Sequence, residues 1–379
     1  MISKKSTRIP PFIVMDILEK AQAMERRGEN IIHLEIGEPD FDTPEVIKEA
    51  AHKALQSGKT NYTHSLGLLE LRESISKHYI NRYGVQVSPE QIIVTAGTSP
   101  GLLLVIATLL DPQDEVILPN PCYACYPNFV EFLDGKPVFV NIYEEDGFQY
   151  QSPKIKDKLT SRTKAIFINS PSNPTGNLLH PEVMQEIART NRFIISDEIY
   201  HGLVYGQKEH SILEFTEKAF VLNGFSKLYA MTGWRLGYVI APRDFVRPIQ
   251  KMQQNFFISA NSFVQWAGIT ALEKAGPDVE RMVKTYDKRR RFILAELKKI
   301  GFGITVEPEG AFYVLANAKK FGADSYQLAL DILNKVKVAV TPGIDFGSNA
   351  EGYLRFSYTN SLGNIKKGMN RLKKYLGEL

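Results

Sequence analysis

The stretch Asn223–Tyr238, NGFSKLYAMTGWRLGY, contains one lysine, Lys227, and one arginine, Arg235, but no carboxylate. Most of its other residues are apolar or small, so neither charge has a local partner. A lysine held among apolar groups has a lowered pKa, and its neutral amine is then available to attack a carbonyl carbon. Arginine offers a planar fork of donors that matches phosphate oxygens. The stretch therefore predicts a reactive amine close to an anion-binding group.

Four other loops carry polar side chains directly after apolar, strand-like runs. TAGTSPG contains Thr98 and Ser99 at the start of a helical pattern, where free backbone N–H groups suit a phosphate. Tyr123 follows DEVILPNP, and Asn173 precedes a proline that keeps it extended. Asp197 ends RFIISD, where a buried carboxylate needs a partner. Each loop alone also fits an ordinary role, as a tight turn, a packing contact or a salt bridge to a neighbouring helix.

Taken together, the five loops describe a binding site for pyridoxal phosphate. An acid can pair with the pyridinium nitrogen of this cofactor, a lysine can hold its aldehyde, and a helix start with an arginine can hold its phosphate. The lysine and the arginine would then lack protein partners because the cofactor supplies them.

Several segments resemble the signatures of one family. SKLYAMTGWRLGY, PSNPTG, SDEIY and LRFSYT look like motifs of the class I and II aminotransferases, the fold-type I pyridoxal-phosphate enzymes. Their order and spacing match from LEIGEPDFDTP to YLRFSYT, and the resemblance is closest to the bacterial and archaeal aspartate and aromatic aminotransferases. It implies an α/β fold, in which a large domain with a mostly parallel sheet between helices is joined to a smaller α+β domain.

The resemblance implies a role for each residue around the cofactor ring. Lys227 would hold the cofactor as a Schiff base and later move the substrate proton. Asp197 would keep the ring nitrogen protonated, and Tyr123 would stack on the ring. Tyr200 and Asn173 would form hydrogen bonds to the phenolic oxygen of the ring.

At the phosphate end, the resemblance implies binding by Gly97, Thr98, Ser99 and Arg235. Tyr62 of TNYTHSLG would reach the phosphate from a second subunit. The active form would then be a homodimer in which each chain completes the site of the other.

For the substrate, the resemblance implies that Arg355 clamps the α-carboxylate, with help from Asn173 and the backbone of Gly37. The expected reaction moves the amino group of an L-amino acid (aspartate, aromatic or another neutral one) to a 2-oxo acid such as 2-oxoglutarate. Because the first 2-oxo acid would leave while the amino group stays on the cofactor, and a second oxo acid would then collect it, ping-pong kinetics are expected.

Two positions depart from the family pattern. The dicarboxylate-specialised branch uses an arginine where FFISANS places Phe256 or Phe257, which favours apolar or aromatic substrates, although relatives in the closer subgroup accept aspartate without it. Some members also have a phosphate-binding serine where this chain has Gly224. Ser226 and Ser99 are the alternatives for that contact.

Other functions on similar folds stay open at this stage. A C–S β-lyase or a cyclopropane-forming synthase would share Lys227, Asp197 and Arg355 with an aminotransferase. The effector domain of a regulator is disfavoured because no winged-helix segment precedes the motifs. A nucleotide-binding enzyme is disfavoured because SGKT at 57–60 has Lys53 where a phosphate-binding loop needs glycine.

Composition narrows the function classes further. The 379 residues include 46 basic and 42 acidic side chains, so the net charge of +4 predicts neither nucleic-acid nor membrane binding. There is no secretory signal pattern and no apolar run of membrane-spanning length. Cys122 and Cys125 form a CxxC flanked by prolines, which favours two reduced thiols over a redox or metal pair. We expect a cytoplasmic protein with small-molecule substrates.

The order of elements predicts two domains. Five apolar runs alternate with helical patterns, which is typical of a parallel sheet covered on both faces. A helix is expected after Thr43 as its cap, with Pro44 in the first position. Beyond about Pro277, a long charged helix leads into the strand-like runs GITVEP, GAFYVLA, VAVTPG and YLRFSYT. The predicted large domain covers residues 48–285, and the small domain covers residues 1–47 and 286–379.

Overall fold

A computed structural model describes residues 2–377 of the chain. The helices are α1 (Lys4–Arg8), α2 (Ile13–Glu25), α3 (Glu45–Gln56), α4 (Leu69–Tyr83), α5 (Thr98–Leu109), α6 (Cys125–Phe132), α7 (Ser152–Lys156), α8 (Pro181–Ala188), α9 (Arg243–Phe256), α10 (Ser262–Lys274), α11 (Gly276–Ile300), α12 (Ser325–Val336) and α13 (Leu362–Leu376). The strands are β1 (Ile32–His33), β2 (Ile92–Thr95), β3 (Glu115–Asn120), β4 (Lys136–Asn141), β5 (Thr163–Asn169), β6 (Phe193–Asp197), β7 (Ala219–Gly224), β8 (Gly237–Ile240), β9 (Tyr313–Asn317), β10 (Val338–Ala339), β11 (Thr341–Pro342) and β12 (Tyr353–Ser357).

A seven-stranded sheet forms the centre of the fold, in the order β2-β8-β7-β6-β5-β3-β4. Only β8 runs against the others, because it pairs antiparallel with both β2 and β7. The residues of β2, β3, β7 and β8 are all buried, as expected for a sheet covered by helices on both faces. The predicted α/β class with a mostly parallel sheet is confirmed.

Parallel strands place their carboxyl ends on one edge of the sheet, where open α/β sheets bind their ligands. Strands β2, β3, β5, β6 and β7 all end at this edge, and the loops that follow them are those with the predicted chemistry. Asn169 and Asp197 lie side by side in the register of β5 and β6, so the third and fourth predicted loops leave the sheet as neighbours.

Two smaller sheets lie outside the large sheet. β11, β12 and β9 form an antiparallel sheet, and β1 pairs in parallel with β10. The second pairing joins the N-terminal segment to the C-terminal part of the chain. The boundaries near residues 48 and 285 fall inside α3 and α11 and remain predictions.

The structure corrects several local predictions. β4 and β8 were not among the predicted strands: β4 is a partly exposed edge strand, and β8 lies within the segment that carries Arg235. GITVEP is not a strand, apart from a single bridge from Gly303 to Asn317. Thr43 does not cap α3, because the helix begins one residue after Pro44 and the Thr43 hydroxyl donates to the carbonyl of Ala230. Within residues 2–377, no helix combines the length and the apolar character needed to cross a membrane.

Candidate active site

One cavity at the carboxyl edge of the large sheet brings together most of the predicted site residues. Gly97 directly precedes Thr98, which lines the cavity, whereas Tyr62 is 84% exposed and lies outside the cavity of its own chain. The predicted residues that line the cavity are Gly37, Thr98, Ser99, Tyr123, Asn173, Asp197, Tyr200, Lys227, Arg235 and Arg355.

Lys227 directs its amine into this cavity from the loop after β7. Its Nζ donates to the carbonyl oxygen of Gly37 at 2.7 Å and makes no ion pair among the described residues. Burial, together with the positive charges of Arg355 and Arg235, lowers the pKa of the Lys227 amine to about 8, against the opposing effects of Glu38 and Asp197. A substantial fraction of the amine is therefore neutral near physiological pH.

Asp197 lies at the end of β6 on the buried side of the cavity. Its Oδ2 accepts a hydrogen bond from the Tyr126 hydroxyl at 2.7 Å, and its Oδ1 accepts one from the backbone N–H of Ile199 at 3.1 Å. Burial raises the pKa of Asp197 to about 6, although these two bonds and the nearby Lys227 favour the ionised form. Sequence reasoning missed Tyr126, because nothing local marks a tyrosine 71 residues from its partner.

Arg355 lies in β12 and is 3% exposed. Its Nη1 donates to Asn173 Oδ1 at 2.8 Å, while its Nη2 donates to the Glu35 carbonyl and, at 3.2 Å, to the Thr341 hydroxyl. Its Nε is buried without a partner in the structure. The guanidinium is thus fixed in place and retains capacity for an anion.

Two aromatic rings enclose the Arg355 guanidinium. It lies 4.3 Å from the ring centre of Tyr313 and 4.8 Å from that of Phe346, which favours a cation between them. The Tyr313 hydroxyl also lies 2.8 Å from that of Tyr200. A Cβ at Gly37 would lie 1.7 Å from the Tyr313 hydroxyl, so only glycine fits there. Tyr313 is a second residue that sequence reasoning missed.

The helix start at α5 and Arg235 lie together at the other end of the cavity. Gly97 precedes α5 with φ of 102° and gives the helix no side-chain cap, so the first N–H groups remain available. A Cβ at Gly97 would lie 2.5 Å from Arg235 Nη2. Arg235 is exposed, adopts a left-handed φ of 54°, and donates from Nη1 to the Thr232 carbonyl at 3.0 Å. A helix start beside an arginine suits a phosphate group.

Backbone packing explains why the chain has glycine at position 224. A Cβ at Gly224 would lie 2.9 Å from both the Gly237 Cα and the Leu236 carbonyl oxygen, so a serine would not fit. Ser99 and Ser226 both line the cavity, and which of them binds the phosphate remains a prediction.

The entrance of the cavity has an apolar wall that sequence reasoning did not predict. Phe12, Val14, Met15 and Ile36 line it, and the Phe12 ring lies edge-on to Tyr123 with the ring centres 5.8 Å apart. The signal was weak because Phe12, Val14 and Met15 lie at the start of α2, which carries no motif.

The cavity fits pyridoxal phosphate by the chemistry of its groups. The cavity contains the buried carboxylate of Asp197 and the amine of Lys227, which is partly neutral near physiological pH. The uncapped start of α5 lies at one end, beside Arg235. The glycine at position 97 leaves open the space that a Cβ would fill beside Arg235. A second arginine with a free buried Nε remains for a carboxylate.

Comparisons with known proteins agree with this geometry. The (5-formylfuran-3-yl)methyl phosphate transaminase of Methanocaldococcus jannaschii is 46% identical over 382 residues and covers 100% of both chains. A probable aspartate/prephenate aminotransferase of Aquifex aeolicus is 39% identical, covering 100% of this chain and 99% of the relative. The structure of Thermus thermophilus aspartate aminotransferase with maleate aligns with a TM-score of 0.95 at 36% identity, over 99% of each chain. The family model for aminotransferase class I and II matches residues 29–372, so the chain belongs to this family of pyridoxal-phosphate-dependent transaminases.

Proposed function

We propose that the protein moves the amino group of an L-amino acid with an apolar or aromatic side chain to a 2-oxo acid such as 2-oxoglutarate. The observation that carries this proposal is the distribution of charge in the cavity. Its charged lining groups are Asp197, Lys227, Arg235 and Arg355. Each would have a place in the binding of the cofactor or of the substrate α-carboxylate, so residues 2–377 of this chain place no further cation in the cavity for a side-chain carboxylate.

The apolar wall supports the same choice of substrate. Phe12, Val14 and Met15 line a cavity whose charged groups each have another role. By resemblance, Phe256 or Phe257 would stand where the dicarboxylate branch has an arginine. Burial of an aromatic side chain against such a wall is favourable, whereas an unpaired carboxylate there would be costly. Aspartate is therefore expected to be a poorer donor than phenylalanine.

The cofactor would be held by Lys227, Asp197, the helix start at α5 and Arg235, and when bound it supplies an electron sink for the α-carbon of the substrate. Asp197 would pair its carboxylate with the ring nitrogen. Arg355 would orient the substrate through its carboxylate. Lys227, with a pKa of about 8, would take the α-proton as a neutral amine and return it elsewhere on the reacting framework.

The proposal is tested by the visible absorbance of the purified protein with pyridoxal phosphate. Single L-amino acids (phenylalanine, alanine, methionine, aspartate and glutamate) are added one at a time, and the loss of the visible absorption band of the bound cofactor is followed. We expect bleaching with phenylalanine at lower concentration than with aspartate. One equivalent of the corresponding oxo acid per site should form without an acceptor, and more than one equivalent only when a 2-oxo acid acceptor is present. Repeated turnover of an S-substituted L-cysteine to pyruvate without an acceptor would instead indicate the elimination reaction of a β-lyase.

One relative suggests a second candidate substrate. The transaminase with 46% identity over the full chain is named for an aromatic aldehyde that carries a phosphate. A furan ring would suit the wall of Phe12 and Tyr123, and Arg355 could bind a phosphate in place of a carboxylate. The test is to offer this aldehyde with an L-amino acid donor. Formation of the ring-methylamine faster than amination of 2-oxoglutarate would favour this candidate.

We also propose that the protein acts as a homodimer in the cytoplasm. The exposure of Tyr62 and of Phe256, at 84% and 64%, fits residues that contact a second copy. Complementation tests this directly: Lys227→Ala and Tyr62→Ala chains are unfolded together and refolded as a mixture. A dimer with Tyr62 acting in trans would contain one intact site and regain activity, whereas a mixture as inactive as its components would contradict it.

A further inference from the structure

One loop contacts two of the three cations of the cavity directly and the third through Thr232. This loop, residues 35–43, is called the site loop below. The carbonyl of Glu35 accepts a hydrogen bond from Arg355, and the carbonyl of Gly37 accepts one from Lys227.

The same loop also reaches the phosphate end. Glu38 accepts a hydrogen bond from the hydroxyl of Thr232, whose carbonyl accepts one from Arg235. Near the end of the loop, Thr43 donates to the carbonyl of Ala230 at 2.6 Å. The position of the site loop thus affects the surroundings of every cation in the cavity.

Arg289 holds the middle of the site loop from the long helix α11. Its Nη1 and Nη2 donate to the two carboxylate oxygens of Asp40 at 2.6 and 2.9 Å. The guanidinium also lies 5.1 Å from the ring centre of Phe41 and 5.6 Å from that of Tyr286. Arg289 is only 7% exposed, whereas Asp40 is open to solvent, so the pair is shielded from water on the side of the arginine. Neither Arg289 nor Asp40 lines the cavity.

We propose that Arg289 is a positioning residue of the active site: through its fork on Asp40 it fixes the site loop against the amine of Lys227. The inference rests on the proposed function in one respect, that Lys227 is the amine that binds the cofactor aldehyde. Paired bonds in a fork fix orientation as well as distance, which a single contact does not.

The fixed loop keeps water away from the Lys227 amine. Burial is the main cause of its lowered pKa, and the charged groups that face it are Glu38, Arg355, Arg235 and Asp197. If the fork is lost, the loop relaxes, the amine becomes better solvated and the charge of Glu38 moves away. Because burial affects the pKa of Lys227 more strongly than Glu38 does, the pKa rises toward the ordinary lysine value. The neutral fraction at pH 7 then falls.

The test is the pH dependence of the rate at which the apoprotein develops visible absorbance with pyridoxal phosphate. For the unaltered chain we expect a rate that rises with pH, with a midpoint near 8. For Arg289→Met we expect the midpoint to rise by about one pH unit, and the rate at pH 7 to fall roughly tenfold. Arg281→Met, an exposed arginine on the same helix that pairs with Asp278, is the control and should behave like the unaltered chain.

Two further variants keep the test informative if Arg289→Met folds poorly. Arg289→Lys keeps the charge without the fork, and Asp40→Asn keeps the shape without the charge; both should raise the midpoint. The double variant Arg289→Met/Asp40→Leu should show the same shift as Arg289→Met, because the two residues act through one contact. Additive shifts would overturn the proposal.

The outcomes separate a positioning role from a structural one. A purely structural role would lower the reacting fraction and the unfolding temperature while the midpoint stays near that of the unaltered chain, and this result would overturn the inference. If the unaltered chain reacts with the cofactor but no Arg289 or Asp40 variant shifts the midpoint, the inference alone fails. If the unaltered chain does not react at all, the proposed function fails and the inference falls with it.

Discussion

The two arginines of the cavity lie in opposite surroundings. Arg355 is buried in a strand, donates to three groups of the protein and lies between two aromatic rings. Arg235 is exposed, lies on a loop with a left-handed backbone and donates to one carbonyl. The first is held rigidly before any ligand arrives, whereas the second has room to adjust.

This difference matches what each arginine would bind. A substrate enters and leaves in every turnover, so a group fixed in advance saves the cost of ordering it each time. A cofactor that is also held by Lys227 and by a helix start depends less on any single contact. We therefore expect Arg355 to matter for turnover and stability, and Arg235 to matter for cofactor retention.

The largest effect is expected for Arg355→Leu. Loss of a buried fork to a carboxylate should lower kcat/KM by about 10²–10⁴-fold. The Asn173 and Glu35 oxygens would also lose their donor, which should reduce the free energy of unfolding by about 1–3 kcal/mol. Steady-state kinetics and urea unfolding measure the two effects. An unchanged KM for amino acids would contradict the carboxylate role.

A smaller and different effect is expected for Arg235→Gln. The affinity for pyridoxal phosphate should fall by about 10–100-fold, since one charge-assisted contact to the phosphate is lost. The stability of the apoprotein should change by less than about 0.5 kcal/mol because the side chain is exposed. Equilibrium titration and unfolding of the apoprotein measure both quantities. If the Arg235→Gln apoprotein loses as much free energy of unfolding as Arg355→Leu does, the two arginines do not differ in the way described above.

Tyr126→Phe tests whether the hydrogen bond from Tyr126 lowers the pKa of Asp197, the buried acid of the cavity. Asp197 has a pKa of about 6, and the hydrogen bond from Tyr126 favours its ionised form. Removing that bond should raise the pKa by about one unit. Because the cofactor ring nitrogen needs the ionised acid, affinity should fall as pH drops through 6 in the unaltered protein and through a higher pH in the variant. Cofactor affinities measured from pH 5 to 8 would show the shift; coincident curves would mean that Tyr126 does not act on Asp197.

The smallest effect is expected for Phe12→Ala in the apolar wall. We expect KM for phenylalanine to rise about 3–10-fold, because part of the apolar contact with the substrate side chain is lost. KM for alanine should stay within twofold, since its methyl group does not reach the wall. Equal changes for both donors would place Phe12 outside the substrate contact.

Much of the fold and site was predictable because the signals are local. Apolar runs marked β2, β3, β5, β6 and β7, and the loops after them carried Lys227, Asp197 and Asn173. What could not be predicted depends on contacts between distant segments. Tyr313 touches Tyr200 from 113 residues away, and α2 is capped by Asp345, whose Oδ1 accepts from the Ile13 N–H across 332 residues. Thr43 looked like a helix cap but binds Ala230 instead, because a tertiary partner outcompeted the local one.

Reductive trapping identifies the lysine that binds the cofactor. The protein is incubated with pyridoxal phosphate, reduced with borohydride, digested and mapped by mass spectrometry. If Lys227 is that lysine, one equivalent of the reduced adduct is expected on the peptide that contains it, and none in Lys227→Ala. Stoichiometric adduct on another lysine, or no specific adduct at all, would contradict this role of Lys227.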